Sequence, residues 1–282
     1  MYSPTVHHLD CAPMQPVGGP PLVAHCLLVS TGSSLVLVDT GLGVADVMDP
    51  RRLGALFRKT VRPTLDLSYT AVHQIRALGY DPRDVQDIVV THLDLDHAGG
   101  LADFPDARVH VMADEYRAAM RRETRLEASR YVTAQWAHGP RWVVHDTADS
   151  DWHGFAAARV VRSPDILMVP LPGHTRGHCA VAVQQPSRWL LHAGDAYFFH
   201  GEMDLRRQRC PRALTLHQRM VADNHAERLT QLERLRELRR EDPRLIRIFS
   251  SHDAQEFDRL SEEERMGRRR GALRRPIGRS GF

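Results

Sequence analysis

Apolar positions along this chain follow two periodicities. Short unbroken apolar runs alternate with stretches in which apolar residues return every three or four positions. Residues 22–29, interrupted by His25, and 35–39, ending in Asp39, are strand-like segments, and the Gly-Ser turn between them predicts a hairpin. Further strands are predicted over 87–91, 108–112, 166–171, 179–183, 189–192 and 245–249. Helical spacing puts Ala71, Ile75 and Leu78 on one face of a helix over 68–78, which Gly79 stops. Another helix starts near Ala113. Residues 212–240 read as one long helix with Leu229, Leu232, Leu235 and Leu238 in a stripe flanked by arginines; it packs on a sheet or serves a homodimer contact. A charged helix over 256–265 follows the last strand. Strands alternate with helices while hairpins recur. That mixture predicts an α/β fold of two packed sheets with helices outside.

Two stretches break the pattern. Residues 12–21 are rich in proline and glycine and read as a loop. Residues 130–153, with Trp136, Trp142 and Trp152, read as an excursion over the surface of the kind that forms a lid. The chain of 282 residues is 42% apolar, enough for a sizeable core. One domain is expected over 1–264, followed by an arginine- and glycine-rich tail, 265–282, that reads as disordered. The formal charge of +3 is concentrated in that tail, so a nucleic-acid partner is not expected. The four cysteines, Cys11, Cys26, Cys179 and Cys210, form no CxxC pair, which fits free thiols in the cytoplasm. Cys179 reads as core packing. The first residues lack the basic-then-apolar order of a secretory signal, and no apolar run reaches the roughly 18 residues of a membrane span.

The candidate chemistry sits at the ends of the predicted strands. His92-x-Asp94-x-Asp96-His97 offers four ligand-type side chains within six residues, just past an apolar run. Imidazole suits zinc, iron and manganese, and carboxylate adds a hard anionic donor. Gly99-Gly100 permits a sharp turn beside them. Pro172-Gly173-His174-Thr175, Gly194-Asp195 and Ser251-His252-Asp253 each follow another strand.

These blocks, with Asp39-Thr40-Gly41, resemble in kind and order the conserved blocks of the metallo-β-lactamase superfamily. The resemblance spans about residues 22–258, and its wording is most similar to the acyl-homoserine lactonase and glyoxalase II-like branch. It implies a four-layer αββα sandwich with two divalent metal ions at one edge, zinc first. One ion would take His92, Asp94 and His174, the other Asp96, His97 and His252, and Asp195 would bridge them. Asp39 and His178 would support ligands without touching metal. A metal-bridging hydroxide would attack a small ester-like substrate, lactone first, and Asp96 would pass a proton to the leaving group. The resemblance also makes Tyr197 a candidate for holding the substrate carbonyl oxygen, with Phe198 and Phe199 beside it. The loop 14–21 and the stretch 136–152 are candidate pocket walls.

One position departs from the family wording. Asp94 stands where a second histidine is usual, which makes that metal site more anionic and harder and tilts it toward iron or manganese. A branch of the superfamily with a carboxylate there, the flavodiiron proteins, uses iron. The competing readings are a thioester or phosphoester hydrolase, a slow metal- or signal-binding protein, and a nuclease whose basic tail grips phosphates.

Overall fold

The computed structural model describes residues 4–146 and 149–273. The first half of the chain builds one sheet from β1 (Thr5–Asp10), β2 (His25–Ser30), β3 (Leu35–Val38), β4 (Val85–Val89), β5 (Arg108–Met112) and β6 (Arg141–His145), in that spatial order. Strands β1 to β3 run antiparallel, β1 joined to β2 by the loop 11–24 and β2 to β3 by a tight turn. From β3 onward the pairing is parallel, so each connection must cross over the sheet and carries helix. These helices are α1 (Val44–Met48), α2 (Ala55–Thr60), α3 (Ala71–Ala77), α4 (Leu95–Ala98), α5 (Ala113–Arg121) and α6 (Arg125–Arg130).

The second half repeats the scheme. Strands β7 (Ser150–Trp152), β8 (Phe155–Arg162), β9 (Asp165–Pro170), β10 (Cys179–Gln184) and β11 (Trp189–His192) form an antiparallel meander, and β12 (Ile246–Phe249) adds in parallel to β11. The crossover before β12 holds α7 (Arg212–Val221) and α8 (His225–Glu241); α9 (Ala254–Leu273) follows β12.

Side chains along a strand alternate between its two faces, and this alternation makes the layers. Leu27, Val29, Val36, Val38 and Val89 of the first sheet meet Ile166, Met168, Val181, Val183 and Phe249 of the second in one apolar layer. Leu28, Leu37 and Ile88 point the other way, onto Val72 and Ile75 of α3 and Ala118 and Ala119 of α5. Leu191, Ala180 and Ala182 face Leu232, Leu235 and Leu238 of α8. Each fully buried leucine here contributes roughly 1.5–3 kcal/mol. The result is the expected αββα sandwich. No helix among the described residues is long and apolar enough to cross a membrane.

Four expectations are corrected. The helix predicted over 212–240 is two helices, because Ala222 turns extended and Asn224 caps α8, its side chain accepting from Glu227 N at 3.2 Å. The break frees Asp223 N and Asn224 N to donate to the carbonyls of His174 and Gly173. Leu229 lies outside the buried stripe, 45% exposed. The stretch 130–153 is no lid: it supplies the edge strand β6, Trp136 is buried in the core against the first sheet, and Trp152 is buried against the second. Helix α9 runs on to Leu273, so residues 265–273 of the expected disordered tail are helical, while 274–282 lie outside the described residues. Cys179 is core packing as read, its thiol directed at the carbonyl oxygens of Val90 and Thr91. The strands β1 and β8 had no counterpart in the sequence reading.

Candidate metal centre

After β4, a loop carries His92 and Asp94 and the short helix α4 carries Asp96 and His97; the loop after β9 carries His174; Asp195 follows β11 and His252 follows β12. Both sheets thus deliver side chains to one edge of the sandwich. Their donor atoms form three groups in which all atoms lie within 4.8 Å of one another: His92, His97 and Asp195; His92, Asp94 and His174; and Asp96, His97 and His252. Asp195 joins them. Its Oδ2 is 3.7 Å from His92 Nε2 and 3.3 Å from His174 Nε2, its Oδ1 is 3.3 Å from His97 Nε2, and both oxygens are 3.2 Å from His252 Nε2. Asp94 Oδ2 completes the first side at 3.5 Å from His92 and 3.1 Å from His174. Asp96 completes the second at 4.0 Å from His97 and 3.8 Å from His252.

These residues fit divalent cations on two counts. A tetrahedral shell of radius about 2.0–2.1 Å has edges of about 3.3 Å, which these spacings approach. His92 Nε2, His97 Nε2 and Asp195 Oδ1 are also buried with no hydrogen-bond partner. Orphaned polar atoms at this depth are costly unless something else binds them.

The supporting contacts fix each ring. Asp39 Oδ2 accepts from His97 Nδ1 at 2.9 Å, and its carboxylate also accepts from Thr91 N and Thr91 Oγ1. Thr91 Oγ1 lies 2.9 Å from His92 Nδ1. His252 Nδ1 donates to Val23 O at 2.8 Å. Such contacts select the tautomer that leaves Nε2 free to ligate. His178 is no ligand, because both its nitrogens are used: Nδ1 donates to Leu171 O, and Nε2 accepts from Asp195 N at 2.9 Å. Gly194 makes the latter possible. It has φ +54°, and a Cβ there would run into the His178 ring.

Electrostatics bind the cluster together. Burial alone would raise the Asp195 carboxyl, but His252, His97, His174 and His92 around it outweigh burial and hold it well below the usual carboxylate range. Burial likewise opposes a charge on His97, and Asp195 and Asp39 overcome it, raising the imidazole well above its ordinary value. His174 is lowered to about 4, chiefly by burial.

Tyr197 is not brought to the site. It is fully buried, and its hydroxyl donates to Glu256 at 2.9 Å, so the expected contact with a substrate carbonyl does not fit this placement. Its neighbour Phe198 faces the cavity instead. Glu256 is itself informative. Burial first, then Asp253, raises its carboxyl to about 7 from an ordinary 4.5. The folded chain therefore holds this proton more tightly than the unfolded one. Its contribution to stability is full below about pH 4.5 and lost as pH rises through about 7, at most about 3 kcal/mol. Glu256→Gln, whose amide oxygen can still accept from Tyr197 and Ser250, is expected to flatten the fall in urea midpoint between pH 5 and 8. An unchanged slope would assign that fall to other groups.

Sequence reasoning missed three residues. Glu115 is buried under the site and ties the His92 and His174 loops together, accepting from Leu93 N at 2.8 Å, Thr175 Oγ1 at 2.5 Å, Tyr131 OH at 3.0 Å and Gly177 N at 3.3 Å. In the sequence it is an ordinary acid in the first turn of a helix. Arg130 forms an ion pair with Asp94, and His217 of α7 faces the Phe198 ring. The cavity over the cluster holds about 550 Å³ and is walled mainly by apolar side chains, among them Met14, Val17, Leu53, Phe57, Phe198 and Leu214; Arg130 and His217 add ionisable groups, and Thr60 and Ser129 add hydroxyls. The loop 14–21 thus lines the cavity as expected, whereas none of the described residues of 136–152 does.

Residues 19–252 match the family described as the metallo-beta-lactamase superfamily. A probable metallo-hydrolase of Mycobacterium tuberculosis is 45% identical over 251 residues, 88% of this chain and 80% of that one. An N-acyl homoserine lactonase of Agrobacterium fabrum is 30% identical over 173 residues, 61% of this chain and 64% of that one. Among solved structures, an N-acyl homoserine lactone hydrolase with the product N-hexanoyl-L-homoserine at its catalytic metal center shares the fold at a TM-score of 0.69, with 21% identity over 90% of this chain and 95% of that chain. Fold, ligand geometry and these matches agree: the chain belongs to the metallo-β-lactamase superfamily, as a metal-dependent hydrolase related to lactonases.

Proposed function

We propose that this protein hydrolyses a small ester-like substrate with an apolar arm, a lactone first, at a centre of two divalent ions held by His92, Asp94, Asp96, His97, His174, Asp195 and His252. The observation that carries the reading is the placement of a largely apolar cavity directly over a cluster of seven ligand-type side chains. Divalent ions there would polarise the substrate carbonyl and make a shared water acidic enough to attack near neutral pH. Zinc is the first choice for both positions.

The chain's own residues have separate tasks. Met14, Val17, Phe57 and Leu214 would take the apolar arm and exclude water from the ester. Asp96 is the carboxylate grouped with His97 and His252, its side chain 14% exposed at the cavity floor. It can receive the proton that the attacking water gives up and return it to the alkoxide as the ester C–O bond breaks. His217 has no hydrogen-bond partner among the described residues and lines the cavity, so its ring nitrogens are available to the substrate.

The test is a substrate panel on zinc-loaded protein: acyl-homoserine lactones, S-acyl glutathiones and aryl phosphates. Lactones are expected to be turned over fastest, with kcat/KM rising as the acyl chain lengthens. No turnover of any lactone, with turnover of the thioesters or phosphates, would reassign the substrate class.

A further inference from the structure

We infer that Arg130 is a positioning residue that neutralises Asp94, so that the carboxylate stands in electrically for an uncharged ligand at the first metal position. The inference rests on the proposal that the cluster holds metal.

The two oxygens of Asp94 have different neighbours. Oδ2 faces His92 Nε2 and His174 Nε2. Oδ1 lies 3.0 Å from Arg130 Nε, with the N–H not aligned for a hydrogen bond, so the contact is one of charge. The guanidinium is almost entirely buried and cannot swing away. Its Nη1 donates to His174 O at 2.9 Å, and its Nη2 donates to Val221 O, the last residue of α7. Arg130 therefore ties α6, the His174 loop and the end of α7 around the one position where this chain departs from the usual ligand wording. A planar guanidinium suits this task because it offers several donors in fixed directions and stays charged when buried.

A charge count follows. The His97 and His252 side is served by Asp96, and both sides share Asp195. The His92 and His174 side has Asp94 with a cation against it. Asp94 plus Arg130 sum to no net charge, the same as the histidine that Asp94 replaces. The harder, more anionic site expected from Asp94 alone is thereby offset, and the preference returns toward zinc. The converse also holds. With Asp94 changed to a neutral side chain, a buried guanidinium would stand unpaired beside the divalent ion, and both its desolvation and the repulsion would oppose binding.

The experiment compares four full-length proteins: the unaltered chain, Asp94→His, Arg130→Met and the double variant. Each is stripped by chelation and titrated with zinc and with manganese against a chromophoric chelator, and the unfolding of each metal-free form is measured alongside. We expect Asp94→His, although it installs the better zinc donor, to weaken the first zinc by about tenfold or more, the range in which lost ligand support operates. The double variant should recover to within about threefold. Arg130→Met should move the manganese-to-zinc affinity ratio toward manganese by about tenfold, a change that a purely structural role would not produce. Asp94→His keeps Arg130 in place, so it carries the test even where Arg130→Met fails to fold. Zinc binding by Asp94→His as tight as in the unaltered chain, or a double variant no better than Asp94→His, would overturn the inference while leaving the metal centre intact. Absence of divalent-metal binding by the unaltered chain would overturn both.

Discussion

Asp195→Ala should leave a folded protein that holds neither ion tightly and has lost its hydrolase activity. The argument is that the Asp195 carboxylate faces both sides, with Oδ2 3.3 Å from His174 Nε2, Oδ1 3.3 Å from His97 Nε2 and both oxygens 3.2 Å from His252 Nε2. Among the described residues no other carboxylate is within 4 Å of both His174 and His252. Four imidazoles also face it, so its removal leaves their ring nitrogens around a void. The loss in affinity should exceed the roughly 10–100-fold that follows from removing a hydrogen-bond partner of a ligand. Metal analysis after gel filtration reads the outcome. Two ions retained per chain, with activity intact, would show that Asp195 is not the shared ligand.

The second large effect belongs to a residue that touches no ligand atom. Glu115→Ala should destabilise the metal-free protein by about 3–5 kcal/mol, because it strands several buried donors at once. Those donors come from Leu93, Tyr131, Thr175 and Gly177, on three separate segments. Relief elsewhere is small: a Cβ on Gly177 would already collide with the Glu115 backbone, so the two segments are in contact and cannot close further. Urea unfolding of metal-free protein measures the effect apart from any loss of metal. A change below about 1 kcal/mol would mean that water replaces the carboxylate without strain.

How much of this could be read from the sequence divides along a physical line. Strand β5 and the ends of β2, β3 and β9 to β12 are legible because a run of apolar residues must be buried on both faces, and such a run has few other readings. The candidate ligands are legible because their type and spacing carry chemistry, and the structure does bring His92, Asp94, Asp96, His97, His174, Asp195 and His252 together. Tyr197 was misjudged because proximity to Asp195 along the chain says nothing about which way a side chain turns; the residue points to Glu256 and its neighbour Phe198 faces the cavity. The break at 222–224 was hidden because its cause is a pair of hydrogen bonds to the distant His174 loop. Glu115 and Arg130 were hidden for the same reason. Each has meaning only through segments far away in the chain, and in isolation each is a common helix residue.

The two sheets contribute to the centre unequally and from opposite sides: the first supplies His92, Asp94, Asp96 and His97, the second His174, Asp195 and His252. The apolar layer that sets their mutual alignment contains Met168, Val181 and Phe249 and meets no substrate. Catalytic geometry is therefore calibrated by interior volume. Trimming or enlarging a methylene in that layer would shift one half of the ligand shell against the other, so drift in reactivity among natural variants of this protein can originate in positions that carry no chemistry at all.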